Sequence, residues 1–487
     1  MRWDKNIIKI SLFLLIFSLS FFTSNKQNII DGKGSESFQI DNILTIVTTL
    51  DTTTTTAFKT HFLETPQAVN LGITDIDFRQ ATTEDGWKKL LQDPSKSVDL
   101  AWGFQTDYFH NLEEWNLLKP ITNSTLLDYI NENIPDGICG LETKHYNDSE
   151  LVWFGTAFRT YGYTVNHDFL DTYGFPVPIT WEELASPIYY INSDVNSIGM
   201  SDPPLSTTNT RIYQTVLQAY GWEVGWSILT RMGANAGIYP GSVSTRAAVV
   251  SGEVGIAMTT SSYGFIAMRE NTDTEFIIPE GYAVIDFCDI SLGINCDNQE
   301  DAEAFLQFVV SPEGQAIWLT EGIDQFPLNE PAFNTTLGQT RTDIYELLMS
   351  SYGTFFLYFN YSLAQSTLEE TVYYFHDTIV VEHTLLQETW GIMVQMLRNS
   401  TINSTYFVEL VYRLGALPEN LECYDYDIYY GFPCPSWSNF AKEKYQTIID
   451  ELTRLNEPQE TSTSIEVTIL LLLTISVVLN LRNKKKR

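Results

Sequence analysis

The sequence predicts a mixed α/β fold of two lobes, in which the chain leaves the first lobe, builds the second and then returns. Residues 43–48 alternate and are β-branched, and residues 52–63 carry apolar side chains at helical spacing, so the chain opens with a strand and a helix. Residues 151–166 and 284–292 are two extended stretches without helical periodicity. These two stretches can carry the chain between the lobes.

The two crossings divide the chain into segments. We expect lobe 1 to comprise residues 42–157 and 285–340, and lobe 2 to comprise residues 158–284. Residues 341–456 have mostly helical patterns, and we expect a helical extension packed on lobe 1.

Composition limits the classes of function. The chain has 487 residues, of which 44% are hydrophobic, so it is long enough to bury one large core or two smaller ones. Its formal net charge of −33 argues against nucleic-acid binding, because phosphate backbones require clustered Lys and Arg.

The N-terminus has the pattern of an export signal. Arg2 and Lys5 precede an apolar run at residues 7–22, which predicts a signal peptide over residues 1–23, with an uncleaved anchor as the alternative. Residues 24–41 are polar and predict a linker.

The C-terminus has the pattern of a membrane anchor. Residues 465–481 are almost entirely apolar and are followed by a basic tail, 482–487, which predicts a single transmembrane helix with the tail in the cytoplasm. Residues 457–464 would then be a short tether, and the binding domain would be extracellular. The alternative is a buried terminal helix.

Five cysteines agree with an oxidising compartment. Cys288 with Cys296, and Cys423 with Cys434, are close enough in sequence to close short disulfide loops, and Cys139 is left over. Unpaired buried thiols are the alternative. Sequons permit glycosylation of an exported chain and lie at Asn123, Asn147, Asn334, Asn360, Asn399 and Asn403.

The sequence contains no known catalytic motif. Its six histidines are scattered, and HExxH, GxSxG and GxGxxG are absent, so we do not expect an enzyme. Carboxylate pairs such as Asp99 with Asp107, or Asp286 with Asp289, could serve acid/base chemistry. Solvated or capping carboxylates are the alternative in so acidic a chain. No cofactor is expected, and a bound metal ion is the alternative.

A hydroxyl-rich segment precedes a predicted helix and suggests a ligand site. Ser206, Thr207, Thr208, Asn209 and Thr210 lie just before the helical run that starts at residue 211. One helix cap requires one such side chain, and the excess favours a site for an anion or a hydroxyl group, with plain capping as the alternative. By the same reasoning, Thr49 and the threonines after it offer a second site, or else a local turn.

Aromatic side chains lie where an open α/β sheet places its ligand cleft, at the ends of predicted strands. They can stack on a ring, and a phenolate can bind a hard metal; packing in the core is the alternative. The candidates are Trp102, Tyr161, Tyr163, Tyr239 and Tyr263.

Six stretches resemble, in order, the extracellular solute-binding proteins of ABC importers, family 1, the cluster with iron, thiamine and phosphonate binders. They cover roughly residues 42–330, and the part after residue 340 resembles a C-terminal extension seen in some members. The stretches are DLAWG at 99–103 with LLKP at 117–120, YGYTVN at 161–166, PITWEEL at 178–184, STTN at 206–209, VSGEVGIA at 250–257 and FVVSPEGQ at 308–315.

The resemblance implies a type II periplasmic-binding-protein fold that closes on a small molecule or ion without catalysis. It implies delivery of that ligand to permease and ATPase subunits. It also implies that residues 206–209 face the cleft and that Trp102 and Gly103 line the opposite lobe.

The ligand predicted from these residues is a small polar or anionic solute. Ferric binders of this cluster use two adjacent tyrosines, whereas this chain has Tyr263 followed by Gly264. Ferric iron is the alternative if Tyr239 or Asp286 completes a different ligand set. Two other classes remain open at this point: a surface sensor or adhesion module that keeps the binding fold, and an extracellular hydrolase that uses the carboxylates.

Overall fold

The computed structural model describes residues 42–104, 106–351, 356–419 and 435–456. Several predictions fall outside these ranges. They concern the signal peptide 1–23, the linker 24–41, the tether 457–464, the apolar segment 465–481, the basic tail 482–487 and the pair Cys423 and Cys434.

A single long strand, β8 (Glu150–Asn166), joins the two lobes. Up to Thr160 it pairs antiparallel with β13 (Ile285–Gly293), and from Tyr161 onward it pairs antiparallel with β11 (Ile256–Thr260). Its side chains are buried on both faces, which explains why the sequence reads as a continuous apolar and β-branched run instead of an alternating one. The two extended stretches of the sequence therefore lie side by side.

The first lobe precedes β8 and resumes at β13. Its other strands are β1 (Asn42–Thr48), β2 (Ile73–Gln80), β3 (Leu100–Gly103), β4 (Leu118–Lys119), β5 (Gly137–Ile138), β6 (Leu141–Glu142), β7 (Lys144–Asn147) and β14 (Phe326–Pro327). Its helices are α1 (Thr52–Leu63), α2 (Pro66–Leu71), α3 (Glu84–Gln92), α4 (Thr106–Glu114), α5 (Ser124–Asn133), α11 (Gln299–Val310), α12 (Pro312–Ala316) and α13 (Thr342–Ser351).

The second lobe lies between the crossings. Its other strands are β9 (Ile198–Ser201), β10 (Ala236–Tyr239) and β12 (Thr274–Ile277). Its helices are α6 (His167–Tyr173), α7 (Thr207–Tyr220), α8 (Trp222–Asn235), α9 (Ser242–Ser251) and α10 (Ser261–Glu270).

The C-terminal extension is helical. Its α-helices are α14 (Tyr361–Ser366), α15 (His383–Arg398), α16 (Ser404–Leu414) and α17 (Pro435–Asn456). Two π-helical stretches, Glu370–Tyr374 and His376–Val380, lie between α14 and α15.

One sheet path runs through both lobes in the order β10, β9, β11, β8, β13, β3, β1, β2. β1 is parallel to both β2 and β3, as the strand-then-helix opening of the sequence suggests. Polar side chains cap the starts of α1 and α7. Asp51 accepts from the Thr54 N–H at 2.9 Å, and Ser206 accepts from the Asn209 N–H at 3.1 Å.

The extension packs differently from our expectation. Ile344 and Leu348 of α13 do join the core of the first lobe. The core of the second lobe, in contrast, includes Phe375, Trp390 and Tyr445, packed with the apolar side chains of α7 and α8. α13 therefore packs on the first lobe, whereas the later helices pack on the second lobe. The reason is that α7 and α8 bury apolar side chains that the sheet alone leaves uncovered.

The predicted single-pass localisation is corrected. Throughout the described ranges, no helix is both long enough and apolar enough to cross a membrane.

The predicted Cys288–Cys296 disulfide is also corrected, because both thiols are free. Cys288 lies within β13, and five residue-to-residue steps of about 3.3 Å each lead from it to the end of that strand at Gly293. The Cys296 N–H donates to the Gly293 carbonyl at 3.0 Å, so Cys296 stays near the end of the strand. This leaves the two sulfurs too far apart for a bond of about 2.05 Å.

The packing of the extension generates a stability prediction. Trp390 is fully buried, and its Nε1 donates to Asn235 Oδ1 at 2.7 Å. Trp390→Ala should lower the free energy of unfolding by about 3–5 kcal/mol, because it opens a cavity and leaves the Asn235 amide without this partner. Urea denaturation of the full chain followed by circular dichroism measures the loss.

The matched control is Tyr412→Ala on α16, whose side chain is 72% exposed. It should change the free energy of unfolding by about 0.5 kcal/mol or less. Equal effects of the two substitutions would contradict the packing of the extension on the second lobe.

Candidate functional site

A cavity of about 600 Å³ lies between the two lobes and the C-terminal extension. Residues from both lobes and from the extension line it. They belong to the start of α4, the crossing strands β8 and β13, the first turns of α7 and the extension. Residues that bear on the chemistry are Phe104, Asp107, Tyr108, Arg159, Tyr161, Asp286, Thr207, Thr208, Arg211, Tyr361 and Glu369. This volume suits a small solute.

The carboxylate of Asp286 lies in the cavity wall and accepts hydrogen bonds from three other side chains. It lies opposite Arg159 in the β8–β13 register, and its Oδ2 accepts from Arg159 Nη2 at 2.8 Å. Tyr161 Oη donates to the same oxygen at 2.9 Å, and Tyr361 Oη donates to Oδ1 at 3.3 Å. Asp286 is only 2% exposed, and these partners offset the cost of burying its charge.

The two phenols are hydrogen-bond donors at neutral pH. Burial raises the pKa of Tyr161 to about 12, and the nearby Arg159 only partly opposes that rise. Burial also raises the pKa of Tyr361 well above its usual value, and the charge of Asp286 adds to the rise. Both hydroxyls therefore keep their protons.

Two guanidinium groups line the cavity, and their surroundings differ. Arg159 is engaged by Asp286 and lies over the Phe104 ring, 4.5 Å from its centroid. Arg211 lies over the rings of Phe359 and Tyr361, at 4.4 Å and 5.0 Å. Within the described ranges, the Arg211 guanidinium donates no hydrogen bond and forms no ion pair, although the charges of Asp286 and Asp107 act on it. Its N–H donors are therefore available to a bound anion.

Two further carboxyl groups near the cavity are driven toward their neutral forms. Burial raises the pKa of Asp289 to about 7, assisted by the charges of Asp286 and Asp107 and opposed by the Thr106 hydroxyl, which donates to it at 2.6 Å. Burial also raises the pKa of Asp107, whose Oδ1 is buried and has no hydrogen-bond partner among the described residues. Glu369 is exposed at the rim.

The first turn of α7 faces the cavity with Thr207 and Thr208. The other side chains of the hydroxyl-rich segment form internal hydrogen bonds, although Thr210 also lines the cavity. Ser206 caps the helix, Thr210 Oγ1 donates to the Pro203 carbonyl at 3.1 Å, and Asn209 Oδ1 accepts from the Ser201 N–H at 2.9 Å. Ser206 is therefore a helix cap, whereas Thr207 and Thr208 lie where a ligand site was predicted.

The structure brings five of the residues named from the sequence to the cavity: Tyr161, Thr207, Thr208, Thr210 and Asp286. Ser206 and Asn209 lie just behind it as structural residues. These seven come from three stretches, the two crossing strands and the head of α7.

Five other predicted residues lie elsewhere. Trp102 is fully buried in the core of the first lobe, and its Nε1 donates to Thr156 Oγ1 at 3.0 Å. Gly103 is buried next to Thr49. Trp102, Gly103 and Thr49 do not line the cavity. Tyr239 is on β10, at the far edge of the sheet path, with its hydroxyl donating to Glu253 at 2.9 Å. Tyr263 packs under the Arg246 guanidinium at 5.3 Å.

Sequence reasoning missed Arg159, Arg211 and Tyr361, and it named Asp107 only as a possible acid/base carboxylate paired with Asp99. A signal existed for the first two: Arg159 interrupts an otherwise apolar strand, and Arg211 directly follows the hydroxyl-rich segment. A charge placed there requires a partner or a ligand. Tyr361 carried no local signal, because its place in the cavity depends on how the extension docks.

Comparison with known proteins establishes the class. The profile of the family described as bacterial extracellular solute-binding protein matches residues 95–343. The chain belongs to this family, which confirms the resemblance to solute-binding proteins of ABC importers.

Solved structures show the same fold at low sequence identity. The periplasmic binding protein AfuA from Actinobacillus pleuropneumoniae, solved with fructose-6-phosphate, is 16% identical, with 70% of this chain and 99% of that chain covered and a TM-score of 0.50. The spermidine/putrescine substrate-binding protein PotD from Streptococcus pneumoniae is 16% identical, with 71% and 100% covered and a TM-score of 0.50. The apo ferric ion-binding protein A from Pasteurella haemolytica is 14% identical, with 68% and 98% covered and a TM-score of 0.50.

Among curated proteins, the phosphoglycerate transport regulatory protein PgtC of Salmonella typhimurium is 23% identical over 177 residues. The match covers 35% of this chain and 42% of PgtC. The chain thus spans less than half the length of this relative.

The raised pKa of Asp289 generates a pH prediction. Its unfolded-state pKa is near 3.8 and its folded-state pKa is about 7, so between these values the folded state binds the extra proton. Its contribution to stability is therefore present at low pH and lost as pH rises toward 7, at about 1.4 kcal/mol per pH unit at most. Asp289→Asn should remove this loss, so the variant gains stability relative to the unsubstituted protein from pH 4 to pH 7.

Urea denaturation of both proteins at several pH values measures the difference. Asp128→Asn, on the exposed face of α5, is the matched control. The free energy of unfolding of this variant should change with pH as that of the unsubstituted protein does. A stability difference for Asp289→Asn that is constant from pH 4 to pH 8 would show that Asp289 is not protonated in this range.

Proposed function

We propose that this protein captures a small organic anion, bearing a phosphate or carboxylate group, in the cavity between its lobes and delivers it to the permease and ATPase subunits of an ABC importer. The observation that carries the proposal is the guanidinium of Arg211. It lines the cavity beside the first turn of α7, and its N–H groups have no acceptor among the described residues.

The arrangement favours an anion over a cation. Arg159 is already matched by Asp286, whereas no carboxylate among the described residues lies within ion-pair distance of Arg211, on which Asp286 and Asp107 act only through their charges. Burial also favours the neutral forms of Asp107 and Asp289. The first turn of α7 adds backbone N–H groups and the positive end of the helix dipole. The anionic group of the ligand would therefore lie between Arg211 and the hydroxyls of Thr207 and Thr208.

Other residues of the cavity wall suit hydroxyl groups on the same ligand. Asp107 Oδ1 is a buried acceptor without a hydrogen-bond partner among the described residues, and Glu369 offers a second carboxylate at the rim. A hydroxylated anion such as a sugar phosphate or a hydroxy acid would use these acceptors as well as Arg211. The name of PgtC, a phosphoglycerate transport regulatory protein, is in line with this class of ligand.

The net charge of −33 does not oppose anion capture at short range. At physiological ionic strength, charges separated by more than about 8 Å are largely screened, whereas contacts inside a partly buried cavity are screened much less. The surface would slow the approach of an anion more than it weakens the bound state.

Ligand capture would favour the closed arrangement of the lobes. Asp107 belongs to the first lobe, and Arg211 and Thr208 belong to the second lobe, so one hydroxylated anion can contact groups on both sides of the crossing. A ligand that makes contacts with both lobes only in the closed state shifts the population toward that state.

Ferric iron receives less support. The iron alternative required Tyr239 or Asp286 to complete a ligand set with Tyr263, but neither tyrosine lines the cavity. Asp286 is already bound by Arg159, and the phenols beside it keep their protons. Two guanidinium groups in the same wall also disfavour a trivalent cation.

The test uses Arg211→Gln. This substitution keeps a polar side chain and removes the charge, so it should weaken binding of a ligand anion by about 10-fold to 150-fold, the range for a hydrogen bond to a charged group. Isothermal titration calorimetry of the full chain with 3-phosphoglycerate, fructose 6-phosphate and related hydroxy acids measures the change.

Arg246→Gln is the matched control, because this arginine packs over Tyr263 and is absent from the cavity wall. It should leave the affinity unchanged. The proposal fails if no small anion binds the unsubstituted protein, or if both substitutions weaken binding equally.

A further inference from the structure

A second cluster of chemically active side chains lies on the first lobe, outside the cavity. His110 and Glu113 are separated by about one turn of α4, and His145 lies on β7. Each side chain offers one ligand atom, and these atoms all lie within 4.8 Å of one another. Two imidazoles and one carboxylate form a ligand set that zinc commonly uses in proteins.

The distances are close to those a zinc ion requires. Bonds of about 2.0–2.1 Å in tetrahedral geometry place neighbouring ligand atoms about 3.3 Å apart. His145 Nε2 and Glu113 Oε2 are already 3.1 Å apart. His110 is exposed, so a small rotation can complete the set and an ion can enter from solvent.

The ring of Trp153 contacts both imidazoles. His145 stacks on it with a centroid distance of 3.7 Å and an interplanar angle of 11°, and His110 forms a T-shaped pair with it at a centroid distance of 5.0 Å. A ligand with a fixed orientation loses less entropy on binding an ion. Stacking therefore orients His145 before metal arrives, and only His110 has to rotate.

Charge also favours a cation. Glu113 Oε1 is buried and has no hydrogen-bond partner among the described residues, so this carboxylate lacks a full set of donors.

We propose that His110, Glu113 and His145 form a zinc site on the first lobe, with water in the fourth position. Zinc bound there would tie the last turn of α4 to β7. The first turn of the same helix lines the cavity through Asp107 and Tyr108, so the ion would brace one wall of the cavity without touching its solute. The zinc site does not depend on the identity of that solute.

Zinc titration of the full chain against a chromogenic chelator tests the proposal. The unsubstituted protein should bind zinc, and His110→Ala and His145→Asn should each weaken that site by more than about 100-fold, since outer-shell losses alone cost about 10-fold to 100-fold. His110 is exposed, so its removal should leave the circular dichroism spectrum unchanged even if His145→Asn disturbs folding.

His167→Ala is the matched control. This imidazole also pairs with a carboxylate, Glu275, at 2.9 Å, but it is not part of the three-residue cluster. The His167→Ala variant should bind zinc as tightly as the unsubstituted chain does. Absence of zinc binding in the unsubstituted chain, or equal affinity in His110→Ala, would overturn the proposal.

X-ray absorption at the zinc edge identifies the ligands independently. The proposal predicts nitrogen and oxygen neighbours at about 2.0–2.2 Å. A shell at about 2.3 Å, the distance of a zinc–sulfur bond, would assign the ion to cysteines and contradict the site.

Discussion

The buried carboxylate of Asp286 is the interaction on which the arrangement of the site depends. It is held by Arg159 across the β8–β13 pair, by Tyr161 from the point where β8 enters the second lobe, and by Tyr361 from the extension. A buried charge that loses its partner costs about 3–5 kcal/mol, so these three contacts constrain one another. The same carboxylate engages Arg159 and leaves Arg211 as the cavity cation without an ion-pair partner among the described residues.

Much of the fold could be predicted because its signals are local. The apolar, β-branched run that forms β8 and the matching stretch that forms β13 are visible in the sequence, and so are the caps of α1 and α7. The packing of the extension could not be predicted in this way. Amphipathic helices specify that they bury an apolar face, and they do not specify against which lobe.

The residues of the candidate site also fall into two groups, those with a local sequence signal and those placed by tertiary packing. Thr207, Thr208, Tyr161 and Asp286 stand out because each is a polar or aromatic side chain near a helix start or within a crossing strand. Trp102 and Tyr239 met the same local criterion, yet the first packs inside a core and the second lies on a sheet edge. Tyr361 enters the cavity through tertiary packing alone, which no local pattern encodes.

The most direct measurement of the central claim compares an anion with its neutral counterpart. Calorimetric titration of the full chain with fructose 6-phosphate and with fructose separates charge recognition by Arg211 and the head of α7 from recognition of hydroxyl groups. The account predicts that the phosphorylated sugar binds at least about tenfold more tightly, the equivalent of 1.4 kcal/mol. Equal affinity for the two, or tighter binding of the neutral sugar, would contradict it.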